Sequence, residues 1–136
     1  MRVLIDTNVI MDALCRREPF HDVGQRVIKL CYRNDVEGVL AAHSVTNLFY
    51  LLRKDFTGNE RRDILLNLCG VFSIEGIDKN KLILALQDRD FVDFEDCLQA
   101  ECALFSEAEY IVTRNGQDFC NSPVPCVTPE EFCRLF

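Results

Sequence analysis

The chain has 136 residues, 49% of them hydrophobic and 27% charged, which is the mixture of an ordinary globular protein and too apolar for one that stays disordered. Its length suits one domain over residues 1–136, able to bury roughly two thirds of the surface an unfolded chain exposes. A net charge of −7 argues against a protein that coats nucleic acid with a basic surface, although it leaves room for a local phosphate site.

Val3-Leu4-Ile5 reads as a short buried strand, stopped by the polar Asp6-Thr7-Asn8 that precedes a helix beginning at Val9-Ile10-Met11. After a break at Arg16–Pro19, Val23, Val27, Ile28, Leu30 and Cys31 recur at helical spacing, and Gly38 introduces the apolar strand Val39–Ala42. Ser44 is a candidate cap for the next helix, whose Val45, Leu48, Phe49, Leu51 and Leu52 form an apolar face ending near Arg53-Lys54. That stripe suits a core, or in part a groove for a partner helix. A helix over Asn59–Leu68 and a strand over Val71–Ile74 follow. Asp78 then caps a helix through Leu82–Leu86, and Asp93 opens one running to about Phe105. Tyr110–Thr113 is a strand, Val124–Val127 an edge strand that tolerates its proline, and Thr128-x-x-Glu131 a capping box for the last helix. About five short strands alternating with helices predict a three-layer α/β/α fold around a mainly parallel sheet.

Eight cysteines include no C-x-x-C pair, and His21 and His43 are far from zinc-finger spacing, so most of the thiols read as small buried hydrophobes. No apolar run approaches the ~20 residues that cross a bilayer, and the N-terminus lacks a secretory apolar segment; a soluble, cytoplasmic protein is expected.

Charge is unevenly distributed. Residues 1–68 carry ten Lys/Arg against nine Asp/Glu, whereas residues 69–136 carry five against thirteen, with eight acids between Asp88 and Glu109 beside Arg89 alone. Such a run is either a solvated helix face or a place where cations bind. In an open parallel sheet, functional groups gather beyond the carboxyl ends of the strands. Asp6, Asn47, Asp93, Asp96, Asn115 and Asp118 all fall at that expected edge. Taken singly, each has an ordinary reading: Asp6 and Asp93 as helix caps, Asp96 as an acid favourable to a helix dipole, Asp118 as a turn former. Held together, their carboxylates repel unless some are protonated or a hard cation lies between them. Mg²⁺ or Mn²⁺ suits such oxygen ligands and activates water against a phosphodiester.

Four segments carry a resemblance. Asp6-Thr7-Asn8 after the first strand, Ser44-x-x-Asn47-Leu48 in a helix, Asp93-Phe94-Glu95-Asp96 before a small-residue helix, and Thr113-Arg114-Asn115-x-x-Asp118-Phe119 together resemble the PIN-domain family, in particular its small VapC-type toxins. The resemblance implies Mg²⁺- or Mn²⁺-dependent endoribonuclease activity on structured RNA such as tRNA, a cognate antitoxin, and a homodimer. Asp6, Asp96 and Asp118 match its acidic metal positions, Thr113 the polar residue supporting the first aspartate, and Asn8 another polar position. Asn47 stands where many members carry glutamate, and an amide brings no negative charge to a metal. Asp93, one helical turn before Asp96, is a candidate to compensate. Arg16, Arg17, Arg53, Lys54 and Arg114 lie just beyond the motif-bearing elements and are candidates for contacting RNA phosphates. The missing acid equally suits a non-catalytic module that binds RNA or a protein.

Overall fold

Val3, Leu4 and Ile5 are completely buried. A strand apolar on both faces belongs in the middle of a parallel sheet covered on both sides. The computed structural model describes residues 1–136 and places these residues in that position. Its elements in chain order are β1 (Arg2–Ile5), α1 (Thr7–Leu14), α2 (His21–Tyr32), β2 (Glu37–Ala41), α3 (Ala42–Leu51), α4 (Gly58–Val71), β3 (Ser73–Glu75), α5 (Lys79–Gln87), α6 (Phe94–Phe105), β4 (Tyr110–Val112), β5 (Cys126–Val127) and α7 (Pro129–Cys133). Short 3-10 turns cover Leu52–Lys54 and Gly116–Phe119.

The five strands run parallel in the order β3-β2-β1-β4-β5. Alternate side chains of β1 point to opposite faces, and each face has its own core. Val3 and Ile5 pack with Val9, Ile10, Val27, Leu48, Leu65 and Phe132, from α1 to α4 and α7. Leu4 packs with Ala100, Cys102 and Ala103 of α6 and with Ile111 and Phe119. This is the expected three-layer α/β/α architecture. Gly38 on β2 permits the close packing of α2 and Phe72: a Cβ there would meet Cys31 Sγ at 2.6 Å and Phe72 Cδ1 at 2.6 Å.

Three local expectations change. Ser44 does not cap α3, because β2 runs straight into that helix at Ala42 and places Ser44 inside its first turn, where its fully buried hydroxyl accepts a 2.9 Å hydrogen bond from Thr7. Val71 and Phe72 are not strand residues. The fourth helix runs through Val71, because Leu65, Leu68 and Phe72 recur at helical spacing on the core face, and β3 begins only at Ser73. Fewer thiols than expected are fully buried: all eight are free, Cys31, Cys97, Cys102 and Cys133 are buried, and Cys69 and Cys120 are exposed. The boxes and caps expected at Thr128, Asp78 and Asp93 are all formed. No helix is long and apolar enough to cross a membrane.

Candidate functional site

The register of the two central strands builds the first part of the site. Ile5 lies opposite Val112, so the next residues of each strand, Asp6 and Thr113, emerge side by side at the carboxyl edge of the sheet. Asp6 occupies the N-cap position of α1, yet its side chain makes no capping bond. Instead Thr113 Oγ1 donates to Oδ2 at 2.8 Å, and Gln99 Nε2 donates to Oδ1 at 3.1 Å. The residue is only 3% exposed. Burial pushes its carboxyl above the ordinary value, and the two donated bonds partly offset that shift.

The sixth helix supplies the second part. Asp93 caps it by accepting from Asp96 N at 3.0 Å, which aims the first turn of the helix at the sheet edge. Asp96 and Gln99, three residues apart, share one helix face. Asp96 is half-buried, and its carboxyl is pushed up to about 7, first by burial and then by Asp93, Asp6, Asp118 and Glu95. Asp118 enters from the 3-10 turn after β4.

Two clefts meet at Asp96. One, of about 290 Å³, is lined by Asp6, Asn8, Asn47, Glu95, Asp96 and Gln99, among others. The other, of about 260 Å³, includes Asp93, Asp96 and Asp118. No lysine or arginine lines either one. The donor set is dominated by carboxylate and amide oxygens without a lysine or arginine as counter-charge, which fits a hard divalent cation. No three of the His, Cys, Asp and Glu side chains converge tightly enough to enclose an ion. Both oxygens of Asp6 are engaged by neutral donors. Mg²⁺ takes one or two carboxylates and keeps several waters, so a closed cage is not required.

Other candidates lie as follows. Asn47 Nδ2 donates to Glu95 Oε2 at 3.2 Å. The backbone N–H of Asn115 donates to Thr113 Oγ1 at 3.0 Å, bracing the residue that holds Asp6. Arg53 stacks over Tyr50, its guanidinium carbon 3.8 Å from the ring centroid, and Tyr50 lines the first cleft. Lys54 follows in the same 3-10 turn. Arg114 is turned to Asp12, its Nε 2.8 Å from Oδ2, and stacks over Phe20. Arg17 lies 3.8 Å from the same carboxylate, and Arg16 leaves α1 in a left-handed conformation at φ 51°.

Sequence reasoning missed Gln99, Glu95, His43 and Asp12. Gln99 carried one signal, its spacing of three from Asp96. Asp12 carried another, as an acid on the helix that follows the first strand. His43 is held below its ordinary pKa chiefly by burial, and its Nε2 donates to the Glu95 carbonyl at 3.0 Å.

Fold and site together define a three-layer α/β/α protein with an acidic cleft, lined by no lysine or arginine, at the carboxyl edge of its sheet. The chain belongs to the PIN domain family, whose model matches residues 2–117. It is 26% identical over 135 residues to Ribonuclease VapC1 of Aquifex aeolicus (strain VF5), covering 97% of this chain and 93% of the relative. Its fold is similar to that of VapBC-1 from nontypeable Haemophilus influenzae, with a TM-score of 0.72 and 14% identity over 96% of this chain and 99% of the other. It is likewise similar to VapBC2 from Rickettsia felis bound to a promoter DNA fragment, with a TM-score of 0.70 and 18% identity over 94% and 98% of the respective chains.

Proposed function

We propose that this protein is a Mg²⁺- or Mn²⁺-dependent endoribonuclease, one PIN domain over residues 1–136, and the toxin of a toxin-antitoxin pair. The observation that carries the reading is Asp96, flanked by two clefts that it shares with Asp6 and Asp118 and that no cation of the protein neutralises. Similarity to a VapC1 ribonuclease supports RNA as the substrate, and fold similarity to VapBC complexes supports an antitoxin partner.

Asp6, Asp96 and Asp118 would hold the ion, in part through its waters, with Asp93 beside them. When bound, the ion lowers the pKa of water and neutralises charge on the scissile phosphate. Gln99 and Thr113 keep the Asp6 carboxylate in one orientation, so no reorganisation is needed when substrate arrives. Asp96 accepts the proton of the attacking water at a carboxylate oxygen. Asn8 and Asn47 offer hydrogen bonds from the cleft wall. Phosphate contacts fall to Arg53, Lys54 and Arg16. Arg17 and Arg114 contribute less, since both face Asp12.

Purified wild type is expected to cut RNA, tRNA included, only with Mg²⁺ or Mn²⁺ present, and Asp6→Asn is expected to abolish cutting while the protein stays folded. Undiminished cleavage by Asp6→Asn, or cleavage in chelator, overturns the assignment. Asn47, which brings no charge, favours a second reading, a binding module without catalysis; an absence of Mn²⁺ binding at millimolar metal would select it.

A further inference from the structure

The carboxylate that position 47 lacks stands across the cleft. Glu95 is the second residue of α6, and two bonds from α3 fix it. Asn47 Nδ2 donates to its Oε2 at 3.2 Å across 48 residues of sequence, and His43 Nε2 donates to its backbone carbonyl at 3.0 Å. His43 and Asn47 are four residues apart and therefore share one face of their helix. An amide suits this arrangement, because it donates to a carboxylate where a glutamate at position 47 would repel one. The same cleft contains Asp6, Asp96 and Gln99. Gln99 is only 4% exposed, and its Oε1 has no hydrogen-bond partner, leaving the cleft wall short of one donor.

Resting on the metal-dependent reading above, we infer that Glu95, tethered by Asn47, supplies the negative charge absent from position 47 and joins Asp96 in binding the divalent cation. The amide of Asn47 on the third helix positions that charge on the sixth. A competing explanation is an acid in the first turn of a helix that serves only the helix dipole. That role changes the stability of the metal-free protein and leaves metal affinity alone.

Calorimetric titration of Mn²⁺ alone into wild type, Glu95→Gln and Asn47→Ala separates these explanations, with the thermal midpoint of each metal-free protein measured alongside. Glu95 is exposed, so its isosteric variant keeps the fold. Glu95→Gln is expected to raise the Mn²⁺ Kd by about tenfold or more, and Asn47→Ala by a smaller factor, with little change in the metal-free midpoint. A Glu95→Gln Kd within about twofold of wild type overturns the inference, whether or not the midpoint falls, and leaves the metal reading standing. Failure of wild type itself to bind Mn²⁺ removes the metal reading and this inference with it.

Discussion

Replacing Asp12 by Asn tests how the protein carries a charge behind its cleft. Asp12 is 2% exposed; Arg114 Nε lies 2.8 Å from its Oδ2, Arg114 Nη2 lies 3.4 Å from Oδ1, and Arg17 Nη1 lies 3.8 Å away. Asparagine keeps the shape and one acceptor oxygen, so the variant loses the charge and one bond to Arg114. Hydrogen bonds to charged groups contribute about 1.5–3 kcal/mol. Removing one member of a buried pair costs about 3–5 kcal/mol when the survivor is sealed from water. Arg114 is not sealed, since its side chain is 26% exposed. The lower range applies to Asp12→Asn, about 2 kcal/mol, or roughly 6–10 °C in Tm for a chain of this size. Arg114→Met strands the carboxylate instead, with only the distant Arg17 to face it, and costs more, about 3–4 kcal/mol. Urea denaturation followed by circular dichroism measures both. Equal costs, or a larger cost for Asp12→Asn, would refute the argument that the survivor's access to water sets the penalty.

Two further predictions concern stability. The Asp96 carboxyl, at about 7 in the folded protein against an ordinary 3.8, binds its proton more tightly when folded. Its contribution is therefore fully present below about pH 4 and is lost as pH rises through about 7. Melts in chelator should show Asp96→Asn gaining on wild type as pH rises across that window, and parallel pH profiles for the two proteins would count against the shift. Gly38→Ala forces a methyl group to 2.6 Å from both Cys31 Sγ and Phe72 Cδ1. The overpacking should cost about 1–3 kcal/mol, read as a lower urea midpoint with an unchanged slope; an unshifted midpoint would mean that Phe72 yields freely.

The parallel sheet was legible because its evidence is local. Val3-Leu4-Ile5 is too apolar for an edge, and Thr128-x-x-Glu131 announces its helix by side chains three residues apart. The matching box at Thr57-x-x-Glu60 obeys the same rule and starts its helix at Gly58, one residue before the expected Asn59. Phe72 misled because an apolar run before a polar residue looks alike at a helix end and in a strand. In the site, the acids could be assigned to one edge from topology alone. Their partners could not. Gln99 is an ordinary amide until the sheet brings Asp6 within 3.1 Å of it, 93 positions away in sequence. Glu95 stands in the motif beside Asp96 with nothing in the sequence to single it out, and only the approach of α3 gives its side chain a partner. The arginines illustrate the same limit: composition gives their number, and the location of a buried carboxylate decides which of them remain available.

The middle strand of the sheet is also the first to be synthesised. Its second neighbour, β4, arrives more than a hundred residues later, and Thr113 reaches Asp6 across a separation of 107 positions. Closing so long a loop is slow and comes late in folding. A polypeptide still on the ribosome that has not reached Thr113 leaves Asp6 without the hydroxyl that donates to its Oδ2, and one that has not reached Gln99 leaves it with neither donor. Under the proposed activity, a copy that stops short of Thr113 lacks one of the two donors that hold its first aspartate, and the hazard to the cell grows only once that residue has been made.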